Sequence, residues 1–273
     1  MKFTVFGSTG FIGRNLVPYL IKQKADCFLP DRFTTIDANE NLGHVIYCIG
    51  LTSDFRKYPL ETVEAHVCKL KNILSNYKFE SFTYLSSSRV YSGNQSGSEE
   101  AELIINPNNF SDLYNISKLM GESICLSNPD KKIRVVRLSN VIGSDLESGN
   151  FLSSLIKDAL TKGKIKLQMP LESSKDYIHI TDVVQLLYEI SRNGNGRIYN
   201  VASGTKISNK ALIAIISNYT NCEVNATPSG NVIEFPDINI KKIQEEFNFR
   251  PQEITNMLPE IIKQFKNEIY DSN

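Results

Sequence analysis

Through the first half of the chain, hydrophobic positions alternate between two rhythms. Short apolar runs ("KFTVF", "CFLPD", "HVIYCIG", "FTYLSSS" and "IRVVRLSNVIG") read as strands, several of them apolar on both faces. Between them lie stretches with apolar residues at helical spacing. "FIGRNLVPYLIKQ" puts Ile12, Leu16, Tyr19 and Leu20 on one face; "PLETVEAHVCKLKNILSNY" starts at Pro59; "LYNISKLMGESICLS" follows the fourth strand. Pro18 suits the first helix only in or near its first turn, because proline lacks the N–H that an interior position donates. Strands alternating with helices predict a parallel sheet covered by helices on both faces.

The second half is less regular. "NFLSSLIKDALTKG" predicts a helix ending at Gly163, "DYIHI" a strand, "TDVVQLLYEISRN" a helix capped by Thr181 or Asp182, and "RIYNVAS" another strand. "SNKALIAIISNY" and "KKIQEEFNFRP" predict helices, the second stopping near Pro251. The polar run from Ser92 to Asp112 is the longest expected loop, and loops of that length in compact domains are often functional.

Composition narrows the function classes. With 273 residues the chain can bury a substantial core without disulfides. Thirty basic residues balance thirty acidic ones, so no basic excess points to nucleic acid or an anionic membrane as partner. The five cysteines are scattered and form no CxxC pair, which suggests neither a zinc site nor a redox motif and suits a reducing cytoplasm. No metal site is expected. The chain opens directly on a strand and glycine turn without a signal-peptide pattern, and no apolar run reaches the roughly 18 residues of a membrane span.

Three stretches carry chemistry. "GSTGFIG" follows a strand and opens a helix, the context of a dinucleotide-phosphate turn. Gly7 permits the tight turn, Gly10 the approach of a pyrophosphate, and Gly13 close helix–strand packing; Thr9, Phe11 and Ile12 are cofactor-binding candidates in the same turn and helix start, which offers free N–H groups to phosphate. Asp31, at the end of the second strand, is placed to accept hydrogen bonds from ribose hydroxyls and favours NAD; Arg32 beside it, or Arg14 after the turn, could hold the 2′-phosphate of NADP. NAD or NADP is therefore expected, with a slight preference for NAD. Tyr114 and Lys118, four apart on a helix, share a face, and a lysine there can lower a phenol that otherwise titrates near pH 10. Ser86, Ser87 and Ser88 follow an apolar strand and so fall at the C-terminal edge of the sheet, where open α/β sheets bind ligands.

Together "GSTGFIG", "YLSSSRVYS", "YNISK", "RLSNVIG", "DYIHITDVV" and "YNVASG" resemble, in this order, the extended short-chain dehydrogenase/reductase family, also called the NAD-dependent epimerase/dehydratase family. The resemblance runs through nearly the whole chain. It implies a Rossmann-type doubly wound parallel sheet, formed by residues 1–145 and 176–204, and a smaller C-terminal substrate-binding lobe, formed by 146–175 and 205–273. It implies Tyr114 as catalytic acid/base, Lys118 as its pKa partner, and Ser87 as the hydroxyl that polarises the reacting carbonyl. Asn140 matches an asparagine near the substrate diphosphate, and Lys175 stands where many members carry a phosphate-binding arginine. Substrates of the family are mostly nucleotide-linked sugars.

Departures from the family pattern narrow the reaction. Dehydratases carry an Asp-Glu pair after the catalytic hydroxyl; here Ser88 and Arg89 stand there, and arginine can serve as neither acid nor base. Cys48 and His179 read as strand residues, His44 as a loop residue and His66 as a helix residue with no evident partner. Reduction of a 4-keto (6-deoxy) sugar nucleotide is the leading reading, 4-epimerisation with tightly held NAD the second, and a non-catalytic dinucleotide sensor or scaffold the alternative of another class. In "IYCIGLTSDFRKYP", Gly50 admits the dinucleotide, and Arg56 is a candidate sugar contact along with Ser88 and Arg89. A homodimer through the helices "PLETVEAHVCKL" and "YNISKLMGESI" is expected, with apolar exposed faces.

Overall fold

The computed structural model describes residues 1–271 except 53, 146–148, 228–231, 233 and 234. The lobe boundary expected at 146 lies outside the described residues. The chain runs β1 (Lys2–Phe6), α1 (Phe11–Lys22), β2 (Asp26–Phe28), β3 (His44–Tyr47), then α2 (Pro59–Val63), which passes through a π-turn (Glu64–Cys68) into α3 (Lys69–Asn76). Next come β4 (Ser81–Ser87), a 3₁₀ turn (Ser88–Tyr91), a second one (Phe110–Asp112), α4 (Leu113–Ser127), β5 (Ile133–Leu138) and β6 (Asn140–Ile142). The remainder is α5 (Phe151–Lys162), β7 (Lys164–Leu167), β8 (Ser174–His179), α6 (Ile180–Asn193), β9 (Ile198–Val201), β10 (Lys206–Ser208), α7 (Asn209–Thr220), β11 (Glu223–Ala226), α8 (Lys241–Phe247) and α9 (Ile254–Asp271).

Six strands form one parallel sheet in the order β2-β1-β3-β4-β5-β9. The chain turns outward from β1 to β2 and then crosses back to β3, so the topological switch lies between β1 and β3. One face of the sheet buries Leu16 and Leu20 of α1 with Val183, Leu187 and Ile190 of α6. The opposite face buries Leu70 and Ile73 of α3 and Cys125 of α4 against Tyr47, Phe82 and Tyr84. Both faces are therefore covered, which is why β3, β4 and β5 read as almost uninterrupted apolar runs.

A second core gathers α5, α7 and α9 around Leu155, Ile156, Leu212, Ile216, Leu258 and Phe265. Two small sheets belong to this half: β10-β8-β6 and the parallel pair β11-β7. The strand "DYIHI" is β8 and pairs with β6 and β10, not with the six-stranded sheet, whereas α6, which follows it, packs on that sheet. Ile238, Ile240, Ile243 and Phe249, late in the chain, join the core of the large sheet.

Local departures from the expected elements have physical causes. Pro18 is exposed in the third turn of α1, not near its start. The helix continues because Leu16 and Leu20 are fully buried on the sheet, which offsets the ~3 kcal/mol that an interior proline typically costs. The cap of α6 is His179, whose side chain accepts from the Thr181 N–H, while Asp182 lies in the first turn. Helix α8 stops at Phe247, where Asn248 takes a left-handed conformation (φ 49°), before Pro251 is reached. The polar loop after β4 is pinned midway: Gly97 bridges Ile238, and its carbonyl accepts from Asn239 N–H and from the Asn200 amide.

Candidate active site

The glycine turn at the end of β1 is a cradle that side chains would fill. Gly7 has φ 78°, a left-handed conformation, and a Cβ there would sit 3.0 Å from the Cys48 carbonyl carbon at the end of β3. A Cβ on Gly13 would overlap the Gly7 carbonyl oxygen, so α1 can pack this closely only with glycine. A Cβ on Gly10 would meet nothing nearer than 3.5 Å; that position is open toward whatever lies over the turn. Gly10 is also the N-cap of α1 and supplies no side-chain acceptor, leaving the first-turn N–H groups of Phe11, Ile12 and Gly13 uncapped and Thr9 exposed beside them. A cradle of this shape with free backbone donors fits a dinucleotide pyrophosphate.

Asp31 lies in a turn three residues beyond β2, not at the strand's end. Its carboxylate accepts from Thr34 Oγ1 at 2.6 Å and Phe33 N–H at 2.9 Å, and these bonds, the threonine's first, hold it below the usual carboxylate range. Arg32, stacked 5.7 Å from the Phe33 ring, flanks it. Arg14, the other cation considered for a 2′-phosphate, forms an ion pair with the buried carboxylate of Asp145.

The structure brings Ser87, Tyr114 and Lys118 together. Ser87 ends β4 and caps the 3₁₀ turn, accepting from Arg89 N–H at 3.2 Å. Tyr114 and Lys118 stand on one face of α4, both buried. Lys118 Nζ is 6.0 Å from the Tyr114 ring centre and donates to the Leu85 carbonyl at 2.8 Å. Burial raises the Tyr114 phenol above its ordinary value; hydrogen bonding from Ser87, the Arg89 charge and Thr52 act in the opposite direction. Burial also pushes Lys118 down to about 7, against the pull of Glu122 one turn further along α4. Gly50 borders the same space: a Cβ there would lie 3.4 Å from Lys118 Nζ.

On the other side of Tyr114 is a rim of cations. Arg89 lies 5.8 Å from the Tyr114 ring and 5.3 Å from that of Phe55; Arg56 lies 4.5 Å from Phe55 and donates to Ser111 Oγ. Burial and the Arg56 charge depress Arg89, and its Nε is buried without a protein partner. Asp112, the carboxylate that acts on Arg89, is occupied by Asn106 N–H and the Asn115 amide. Lys175, on β8 over the Phe151 ring, is depressed by burial and by Arg89. Asn140, paired with Tyr177 across β6 and β8, donates to the Asp176 carbonyl at 2.8 Å. Ser88 is buried in the 3₁₀ turn between Ser87 and Arg89.

The residue that sequence reasoning missed is His66. It is fully buried, with Nδ1 2.8 Å from Ser117 Oγ and Nε2 accepting from Leu51 N–H at 3.3 Å. Helical spacing alone could not reveal it, because the π-turn shifts the phase of the helix at that point. His44 begins β3 and contacts Ser81 Oγ, and His179 is spent capping α6. Cys48 is pushed up to about 12 by burial and stays a thiol.

A parallel α/β sheet with an uncapped glycine turn at its switch point, and serine, tyrosine and lysine at the same edge, defines a class of nicotinamide-dependent oxidoreductases. The model of the NAD dependent epimerase/dehydratase family matches residues 3–202, and the chain belongs to that family of NAD(P)-dependent enzymes. The chain is 26% identical over 253 residues to GDP-6-deoxy-D-mannose reductase of Pseudomonas aeruginosa, covering 82% of this chain and 81% of the relative. Solved structures similar to it include RMD from Pseudomonas aeruginosa complexed with NADPH, with a TM-score of 0.79 at 20% identity, covering 97% of this chain and 100% of that one. UDP-N-acetylglucosamine 4-epimerase from Methanobrevibacter ruminantium in complex with UDP-N-acetylmuramic acid gives a TM-score of 0.82 at 19% identity, covering 98% of each chain.

Proposed function

We propose that this protein reduces the 4-keto group of a nucleotide-linked, 6-deoxy sugar with NAD(P)H. The observation that carries the reading is geometric: Tyr114 is buried beside Ser87 with Lys118 on the same helix face, and no carboxyl group stands in the two positions after that serine. Reduction of a ketone needs a proton donor for the incipient alkoxide, and a phenol kept neutral is that donor. Ser87 would hydrogen-bond the same oxygen, and Lys118, when protonated, would stabilise the phenolate left behind.

The residues that would hold the dinucleotide are Gly7, Thr9, Gly10, Phe11, Ile12 and Gly13 at the pyrophosphate, Asp31 and Arg32 at the adenosine ribose, and Gly50 beside the nicotinamide. Bound there, the reduced nicotinamide supplies the hydride. The ionised Asp31 carboxylate supports NAD, while Arg32 keeps NADP within reach. On the substrate side, Asn140 and Lys175 would face the diphosphate, and Ser88, Arg89 and Arg56 the sugar. The GDP-6-deoxy-D-mannose reductase relative supports the substrate class and reaction.

Epimerisation at C4 through a transient ketone is the second reading, supported by the likeness to a 4-epimerase structure and by the same three residues. It would start from a phenolate, which burial of Tyr114 disfavours. Exposed Leu60 on α2 and Met120 on α4 support a homodimer through those helices, and five free cysteines suit a reducing cytoplasm. No helix among the described residues is long and apolar enough to cross a membrane. The test is a panel of GDP-, UDP- and dTDP-linked 4-keto-6-deoxy sugars with NADH or NADPH. Consumption of reduced cofactor with one of them is the expected result. No consumption with any, alongside interconversion of a 4-hydroxy sugar pair, would replace the reductase with the epimerase.

A further inference from the structure

We infer that His66 is a positioning residue that ties the loop after β3 to the catalytic helix, holding both arms of the site in register. The inference rests on the reading of Tyr114 as acid/base. The hydrogen-bond directions assign the tautomer. Leu51 N–H can only donate, so Nε2 must be an unprotonated acceptor, and the ring hydrogen is on Nδ1. Nδ1–H then donates to Ser117 Oγ at 2.8 Å, and the Ser117 hydroxyl in turn donates to the Tyr114 carbonyl at 2.9 Å. Every polar atom in this chain has one role, with no alternative direction left open.

Shape reinforces the clamp. The imidazole stands edge-on to the Tyr114 ring, centroids 5.3 Å apart and planes at 87°. A Cβ on Gly50 would come within 3.3 Å of His66 Nε2, so the loop beside the dinucleotide site closes directly on the imidazole. The π-turn that carries His66 is fixed from the sheet: Tyr47 donates to the Ala65 carbonyl at 2.5 Å and Tyr84 to the His66 carbonyl at 3.2 Å. A Cβ on Gly121 of α4 would overlap the Tyr84 hydroxyl, so that glycine lets helix, tyrosine and π-turn meet. Burial, with the Lys118 charge as the second cause, holds His66 down to about 2. Lys118 is the cation facing it; Ser117, Tyr114, Leu51 and Gly50 are its uncharged neighbours. With both ring nitrogens engaged, by Ser117 and by Leu51, the imidazole serves as a fixed connector.

Each arm can be cut separately. Asparagine reaches only as far as Nδ1 and preserves the bond to Ser117; glutamine reaches the Nε2 position and preserves the bond from Leu51. We expect His66→Asn to weaken NADH and NADPH binding, read by nucleotide fluorescence, about fivefold, with the pH profile of turnover unmoved. His66→Gln should keep the parent affinity and shift the profile. The chain has three histidines, so nitrogen NMR can assign the ring, and His66 should remain a neutral Nδ1–H tautomer at pH 5. A protonated or Nε2–H ring at pH 5, or two folded variants with unaltered affinity and pH profile, would overturn the inference. Full turnover in Tyr114→Phe would instead sink the acid/base reading and leave the NMR and affinity results standing.

Discussion

The two sides of the Tyr114 hydroxyl are built from different materials. Toward α1 the site is backbone: Gly7, Gly10 and Gly13 shape a cradle whose donors are main-chain N–H groups, fixed by the packing of β1, β3 and α1. Toward β8 the site is long side chains: Arg56, Arg89 and Lys175, with Arg89 depressed by burial and the Arg56 charge, and Lys175 by burial and the Arg89 charge. On the proposed reading the backbone side holds the dinucleotide and the side-chain side the substrate, so substitutions on the two sides should have different signatures.

The largest separation should come from Lys118, which stands between the sides. Lys118→Met should lower turnover ~10³-fold while raising stability near neutral pH, because a buried lysine costs folding energy. The sign follows from linkage. Its folded value, about 7, lies below the unfolded 10.5, so the unfolded chain binds the extra proton between those values. The parent's stability from this residue therefore rises with pH, ~1.4 kcal/mol per pH unit across that window. Urea unfolding at pH 6 and pH 9 should show the advantage of the methionine variant shrinking at the higher pH; a constant difference would show that Lys118 is not depressed.

On the cofactor side, Gly10→Ala should leave the thermal midpoint within about 2 °C yet weaken dinucleotide binding ~30-fold, because the added methyl meets only ordinary contacts within the protein and intrudes on the approach of the pyrophosphate. Isothermal titration and differential scanning fluorimetry separate the two effects. A loss of stability matching the loss of binding would remove the contrast. On the substrate side, Arg89→Met should raise KM about tenfold with dinucleotide affinity unchanged. The smallest effect is expected at Asp31→Ser, a change of roughly fivefold in the NADH-to-NADPH ratio of kcat/KM toward NADPH. A ratio that does not move would assign the choice to other residues.

Legibility in the sequence follows the same division. The six-stranded sheet was readable because buried parallel strands produce continuous apolar runs, and the glycine turn because Gly7 and Gly13 answer steric demands that no other residue meets, with Gly10 open between them. Spacing placed Tyr114 and Lys118 on one helix face and Ser87 near the sheet edge, but their proposed roles come only from the family resemblance of the ordered motifs. What escaped depends on long-range packing. Strand β8 looks like a strand of the main sheet, since a five-residue run carries no label for its partner. Helix α9 repeats Leu258, Ile261 and Phe265 at helical spacing but carries Pro259 within it, a residue that ordinarily marks a helix end. His66 escaped because a π-turn breaks the periodicity on which the reading relied, and because its partners Leu51 and Ser117 are remote in sequence.

The central claim is that Tyr114 delivers the proton while the cradle on its other side holds the dinucleotide independently. Tyr114→Phe, measured for turnover of the active 4-keto sugar nucleotide and for NADH and NADPH affinity in parallel, tests it most directly. The account predicts a drop in kcat of ~10²–10⁴-fold with dinucleotide affinity within about twofold of the parent. Turnover within a few-fold of the parent, at unaltered affinity, would contradict it.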